Sequence, residues 1–174
     1  MNEQSKVNNA TNRLTTVLFI IYLIAICWIL LFKLSVRFSY MGKRSVNLIP
    51  FSEPLILASE NILNVVIFVP LGLYAGILFE RWIFGKKLLF FFLLSLLVEG
   101  LQYILRVGAF DVTDIITNTL GGIIGLIIFI AIGKAFNNGV KAQKFINLVA
   151  AAGTVLIILL LMLLKMNMLP VRYQ

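Results

Sequence analysis

Apolar residues occur along this chain in five long runs, separated by segments that hold most of the charged residues. The runs are roughly 14–32, 62–79, 88–105, 115–132 and 145–164. Each is close to the ~20 residues that an α-helix needs to cross the hydrocarbon core of a bilayer. The pattern therefore predicts an all-α membrane bundle of about five transmembrane helices, folded as a single membrane domain over residues 1–174.

Small residues and one long connection refine this picture. Glycines recur at helical spacing in the second and fourth runs, where they would let neighbouring helices come close; they are Gly72, Gly76, Gly121, Gly122 and Gly125. The connection 33–60 is long enough to lie along the membrane as a re-entrant or interfacial element. Within it, Asn47 begins an interfacial turn whose apolar Leu48, Ile49 and Phe51 are expected to dip into lipid. The fifth run shows no polar signature and predicts a plain span.

The composition excludes an ordinary soluble domain. The chain is 61% hydrophobic and 13% charged, whereas soluble domains are about 45–50% apolar and about 25% charged. Its net charge of +8 comes from basic residues placed between the apolar runs, which indicates contact with anionic membrane lipids and not with nucleic acid. Because the chain has no histidine, Ser-His-Asp and Cys-His mechanisms and the usual zinc ligand sets are excluded.

Polar side chains interrupt the three middle runs at spacings that place each group on one helix face. They are Glu60, Asn61, Asn64, Glu99, Gln102, Arg106, Asp111, Asp114 and Asn118. A charged group costs roughly 2.5–3.5 kcal/mol at the centre of a membrane helix, so a collection of polar groups indicates a functional site. With five alternating spans the three groups meet at one side of the membrane, which predicts a polar pocket with Glu99 at its floor.

Basic residues divide almost evenly between the two sides of such a bundle. If Arg44 and Arg106 belong to the pocket and not to the topology signal, the balance favours a cytoplasmic N-terminus. We therefore expect the pocket to face outward.

These residues, in this order, resemble the VanZ-like family. The resemblance rests on 44–51, 61–72, Glu99-x-x-Gln102-x-x-x-Arg106 and Asp111-x-x-Asp114-x-x-x-Asn118-x-x-Gly121-x-x-x-Gly125. It covers a core of residues 37–133, flanked by transmembrane helices 14–32 and 145–164. The resemblance implies a small multi-pass protein of the bacterial cell membrane. Its family is named for a factor associated with low-level resistance to the lipoglycopeptide teicoplanin.

The chemistry of the predicted pocket suits binding. The candidate ligand-binding residues are Arg44, Asn47, Glu60, Asn61, Asn64, Gln102, Arg106, Asp111 and Asn118. Arginine forks suit phosphate or carboxylate groups, which predicts an anionic lipid-linked envelope component, such as a polyprenyl-phosphate-linked precursor, or the drug itself. The carboxylates of Glu99, Asp111 and Asp114 are candidate ligands for a divalent cation such as Mg²⁺.

Other functions and simpler structural roles stay open. A membrane-embedded enzyme acting on a lipid phosphate or ester would use Glu99 or Asp114 as general base. A transporter ranks last because the chain lacks the internal repeats that transporters usually have.

Three structural roles compete with these functions. Asp111 suits a helix N-cap, and the amides suit hydrogen bonds between helices. Glu99 must pair, with Arg106 or with another helix, or stay protonated.

Overall fold

The structure is a computed structural model that describes residues 3–32, 45–51 and 58–165. Within these ranges the chain forms five helices and two short strands. Their bounds are α1 Glu3–Phe32, β1 Val46–Asn47, α2 Ala58–Leu78, α3 Phe84–Leu105, β2 Phe110–Asp111, α4 Val112–Phe136 and α5 Gly139–Lys165. In the described part of the chain, four helices, α1 to α4, are long and apolar enough to cross a membrane. The predicted all-α membrane bundle is confirmed, and a fifth span along α5 stays a prediction.

The closest helix packing is between α2 and α4, and glycines make it possible. A methyl group added at Gly121 would overlap the carbonyl oxygen of Val65, and one at Gly125 would overlap that of Val69. Gly72 on α2 faces the α4 backbone in the same way. The two small-residue faces predicted from the sequence therefore meet, and they hold the polar residues of α2 and α4 at a short, fixed separation.

Apolar side chains from α1 to α4 fill the centre of the bundle. Among the most deeply buried are Ile26, Phe68, Leu71, Tyr74, Phe91 and Val98. Large apolar side chains also cover much of the outside, where residues such as Ile24, Ile62 and Leu97 are exposed. An apolar exterior around an apolar core is typical of a bundle whose surroundings are lipid.

The bundle has two chemically different ends. The strand end, as we call it, holds β1, β2, the last turns of α1 and α3 and the first turns of α2 and α4. There the Gln102 Nε2 donates a hydrogen bond to the carbonyl oxygen of Leu30, at 2.8 Å. The opposite end, the basic end, holds the starts of the α1 span and of α5, where the Gln143 Nε2 donates to Asn12 Oδ1 at 2.9 Å.

Two features of the fold were not predicted. The strands β1 and β2 form a parallel pair, with Val46 opposite Phe110 and Asn47 opposite Asp111. The expectation that the fifth run has no polar signature was wrong, because Asn147 of α5 is buried and donates to the backbone carbonyl of Thr11 at 3.3 Å. Of the long connection predicted at 33–60, residues 45–51 and the first turn of α2 are described, and the rest lies outside the described residues.

Candidate functional site

The end of α3 turns the chain back towards the bundle. Arg106 adopts the left-handed conformation, with φ 57° and ψ 32°, directly after the helix. The Arg106 N–H donates to the Tyr103 carbonyl and the Val107 N–H to the Gln102 carbonyl, at 3.3 and 3.0 Å. This pair of hydrogen bonds forms a Schellman motif, in which glycine usually occupies the left-handed position. The turn sends the chain into β2 and carries Asp111 back over α3.

The strand pair then joins Asn47, Glu99 and Asp111. Asn47 lies opposite Asp111 in the ladder, and its Nδ2 donates to Asp111 Oδ2 at 2.9 Å. The backbone N–H of Asp111 donates to Glu99 Oε2 at 3.2 Å. Glu99 is buried, with 2% of its surface exposed, whereas Asp111 is half-buried. A buried carboxylate on α3 is thus tied to the two strands above it.

Asp111 also performs the capping role expected as its structural alternative. Its Oδ1 accepts a hydrogen bond from the Thr113 backbone nitrogen at 2.7 Å, at the first turn of α4. Its other oxygen takes the bond from Asn47. The one side chain therefore both starts α4 and links that helix to β1, so the structural and site interpretations of Asp111 are not exclusive.

One helical turn further on, α4 is bonded to α2. The Nδ2 of Asn64 donates to Asp114 Oδ1 at 2.8 Å, and both side chains are half-buried. An amide donating to a carboxylate is a charge-assisted hydrogen bond, stronger than one between neutral groups. This pair fixes the carboxylate at the point where the closely packed α2 and α4 begin.

Deeper in the bundle, α4 meets α3 through Asn118 and Ser95. The Nδ2 of Asn118 donates to Ser95 Oγ at 3.0 Å, and both residues are fully buried. Among the described residues the Oδ1 of Asn118 has no hydrogen-bond partner. Rotating the amide by half a turn would only exchange the bonded end with the unbonded one. The buried amide is one partner short in either orientation, at a cost of about 1–3 kcal/mol if nothing else bonds to it.

These contacts bring most of the predicted site residues together. We call the set the polar cluster; its members are Asn47, Asn64, Ser95, Glu99, Asp111, Asp114 and Asn118. Ser95 is the member that the sequence analysis missed. Its position four residues before Glu99, on the same face of α3, is the signal that could have found it.

The polar cluster lies in a part of the chain that matches a known protein family. The family model for VanZ/LLP1 matches residues 19–133. The chain belongs to the VanZ/LLP1 family. The resemblance seen in the sequence motifs is thereby confirmed, and the matched range includes every member of the polar cluster.

The similarity of this VanZ/LLP1 family member to one curated relative extends over most of both chains. Protein VanZ of Enterococcus faecium is 38% identical over 148 residues, which are 83% of this chain and 88% of the relative. No solved structure matches the chain. Together with the four apolar helices, the comparison identifies a VanZ-type membrane protein.

Two residues predicted to line the pocket, Gln102 and Arg106, are not members of the polar cluster. Gln102 is buried, and its Nε2 donates to the carbonyl oxygen of Leu30 in the last described turn of α1. It therefore acts as a link between helices. Arg106 is exposed at the end of α3, whereas Glu99 is buried within the helix, so the two lie in different surroundings.

The described part of the predicted interfacial turn lies beside the polar cluster. Leu48, Ile49 and Phe51 are all exposed, as expected for residues that contact lipid. The Phe51 N–H donates to Thr113 Oγ1 at 3.0 Å, which ties the turn to the start of α4. An apolar surface therefore adjoins the polar cluster of the VanZ/LLP1 chain.

Three other predicted site residues are not members of the polar cluster. Arg44 and the side chain of Glu60 lie outside the described residues, and Asn61 is half-buried in the first described turn of α2. Within the described ranges, no group of three or more acidic, histidine or cysteine side chains could hold a metal ion. The expected set of three carboxylate ligands is not assembled there, and a divalent cation stays a prediction.

Proposed function

We propose that this membrane protein lowers susceptibility to teicoplanin by binding an envelope component, or the drug, at the polar cluster. The ligand that the chemistry suits best is an anionic lipid-linked molecule. The observation that carries the proposal is the fully buried amide of Asn118, which lacks one hydrogen-bond partner among the described residues. Buried polar groups in native proteins are almost always bonded, so an exception of this kind suggests a partner from outside the chain.

The arrangement around Asn118 supports a preformed site. Hydrogen bonds between side chains of distant segments hold Asn47 to Asp111 and Asn64 to Asp114. Groups fixed in this way lose little conformational freedom when a ligand binds. The half-buried members lie nearer the strand end and Asn118 lies deeper, so a ligand entering from that end would meet carboxylates first and the amide last.

The surroundings favour a ligand with three properties. Carboxylate and amide oxygens accept hydrogen bonds, which suits a headgroup rich in hydroxyl or ammonium donors. The exposed guanidinium of Arg106 at the same end suits a phosphate or carboxylate. The exposed apolar turn with Leu48 and Phe51 suits an acyl or prenyl tail. A lipid-linked envelope precursor combines these properties, and so does a lipoglycopeptide.

The proposal places the strand end at the outer surface of the membrane and the N-terminus in the cytoplasm. Exposed basic residues gather at the other end; they are Arg13, Arg81, Lys86, Lys134, Lys141 and Lys144. Basic residues near the ends of membrane helices favour the cytoplasmic side. Cysteines introduced at Asn137 and at Leu48, in a Cys27→Ala background, would test this orientation by their labelling from outside intact cells.

A membrane-embedded enzyme acting on a lipid phosphate or ester is the second candidate. It is favoured by the burial of the Glu99 carboxylate one helical turn from the Ser95 hydroxyl. Ser95 is bonded to an amide in the described structure and not to a base, so binding has the better support. Release of headgroup phosphate from a polyprenyl phosphate by the purified protein would reverse this ranking.

The test is protection of a teicoplanin-susceptible Gram-positive host that expresses the chain. Asn118→Leu keeps the branched shape of the side chain and removes the amide, so we expect it to abolish protection at an unchanged membrane level. Thr119→Val is the matched control, because among the described residues the Thr119 hydroxyl bonds only to the Ile115 carbonyl within α4. Protection by Asn118→Leu equal to wild type, or no protection by the wild type, would overturn the proposal.

A further inference from the structure

A cleft opens at the basic end, on the opposite side of the bundle from the polar cluster. It has a volume of about 490 Å³ and lies between α1, α2, α4 and α5. Ile77 and Phe129 form an apolar wall, and Asn12, Glu80, Asn138 and Gln143 supply polar groups. The lining is thus amphipathic, as the boundary between lipid chains and headgroups is.

The wall formed by α1 and α5 is held in place from behind. Gln143 Nε2 donates to Asn12 Oδ1 at 2.9 Å and to Thr15 Oγ1 at 2.8 Å. The Thr15 hydroxyl in turn donates to Asn147 Oδ1 at 3.0 Å, and Thr15 and Asn147 are buried. The polar edge of the cleft is therefore rigid before any ligand arrives, which favours a specific occupant over a passing one.

Basic residues lie next in sequence to cleft residues on three of the four contributing helices and in the turn after α2. Exposed basic residues follow or precede lining residues on α1, α4 and α5, and Arg81 follows the lining residue Glu80 in the turn after α2; the helix residues are Arg13, Lys134, Lys141 and Lys144. Glu80 contributes a carboxylate to the lining itself. Long basic side chains at a membrane interface extend their charges towards the headgroup layer and attract anionic lipids.

We propose that the cleft binds one anionic phospholipid whose headgroup carries hydroxyl groups, as phosphatidylglycerol does. The basic rim and the amides of Asn12 and Asn138 bind the phosphate. Glu80 accepts a hydrogen bond from a headgroup hydroxyl, which selects a hydroxylated headgroup over other anions. Ile77 and Phe129 pack against the glycerol and the first methylene groups of the acyl chains.

The first experiment measures thermal unfolding of the purified full chain in neutral detergent, with added phosphatidylglycerol or phosphatidylcholine. We expect phosphatidylglycerol alone to raise the melting temperature of the wild type. The double substitution Lys141→Gln and Lys144→Gln at the rim should remove most of this rise. The matched control is Lys86→Gln with Lys87→Gln, which removes the same charge at the same end, on α3, and should keep the rise.

An equal loss in both double variants would show general attraction to an anionic surface and would overturn the site. The same conclusion would follow if phosphatidylglycerol left the wild type unchanged. A second comparison tests Glu80, using phosphatidylmethanol, which carries the same charge without the hydroxyls. The wild type should prefer phosphatidylglycerol, and Glu80→Ala should respond equally to both; a preference retained in Glu80→Ala would contradict the proposed selection. None of these readouts depends on teicoplanin.

Discussion

Two buried hydrogen-bond networks join helices near opposite ends of this bundle, and they differ in how completely they are bonded. Near the basic end, Gln143 donates to the Thr15 hydroxyl, which donates to Asn147, and all three side chains are neutral. At the strand end the network contains carboxylates, and the Oδ1 of Asn118 is the buried side-chain atom, among those described, that lacks a partner. A complete, neutral network is sufficiently explained by stabilisation of the contact between helices. An incomplete network that contains carboxylates suggests a binding site, so we assign the two networks different roles.

The largest effect is expected where the strand-end network is charged. Asp114→Leu leaves the Asn64 amide without its acceptor, which should lower the free energy of unfolding by about 1.5–3 kcal/mol and abolish protection. Reversible unfolding in mixed micelles and the teicoplanin inhibitory concentration measure the two effects. Wild-type protection by this variant would remove Asp114 from the site.

Exchanging the partners provides the control for that variant. Asn64→Asp alone sets two carboxylates against each other, whereas Asn64→Asp combined with Asp114→Asn restores one donor and one acceptor. The double variant should therefore be more stable than the sum of the single variants predicts, as a double-mutant cycle would report. Strict additivity would mean that the 2.8 Å contact contributes nothing.

An intermediate effect is expected at Asp111, which belongs to the strand-end network and also caps α4. Asp111→Ala removes the bond from Thr113 and should cost about 0.5–2 kcal/mol of stability. Asp111→Ser keeps a capping oxygen and should recover most of that stability, while the bond from Asn47 stays lost. If Asp111→Ser also recovers protection fully, the link between β1 and α4 is unnecessary for function.

The smallest loss of stability is expected at the basic end. Asn147→Leu removes neutral bonds to Thr15 and Thr11, and such bonds between membrane helices average about 0.6 kcal/mol, with a maximum near 1.7. Protection, corrected for the amount of protein in the membrane, should stay at the wild-type level. A loss of protection beyond that correction would mean that this network is more than glue.

Sequence patterns predicted the class, the helices and most of the polar cluster, for physical reasons that hold within one helix. Asn64, Asp114 and Asn118 lie at helical spacing, and alternating spans bring their ends to one side. The glycine faces were likewise visible, since Gly121 and Gly125 share one side of α4. Local periodicity is sufficient for these features because each depends on a single element.

The remaining features depend on contacts between elements that are distant in sequence. The pairing of Asn47 with Asp111 depends on how two loops fold together. A strand of two residues is too short to show an alternating pattern that would predict it. Asn147 resembles an isolated polar residue until α1 brings Thr15 beside it. The exposure of Arg106 follows from the Schellman turn after α3, which the sequence does not signal because the turn usually contains glycine.

The central claim is that the Oδ1 of Asn118, which has no hydrogen-bond partner among the described residues, binds a ligand and does not stabilise the fold. The most direct measurement is stability and protection together in the double variant Asn118→Leu with Ser95→Ala. Because both buried partners become apolar, we expect the free energy of unfolding to change little, by about 0.5 kcal/mol or less, while teicoplanin protection is lost. A double variant that is strongly destabilised yet still protects at its remaining membrane level would contradict the claim.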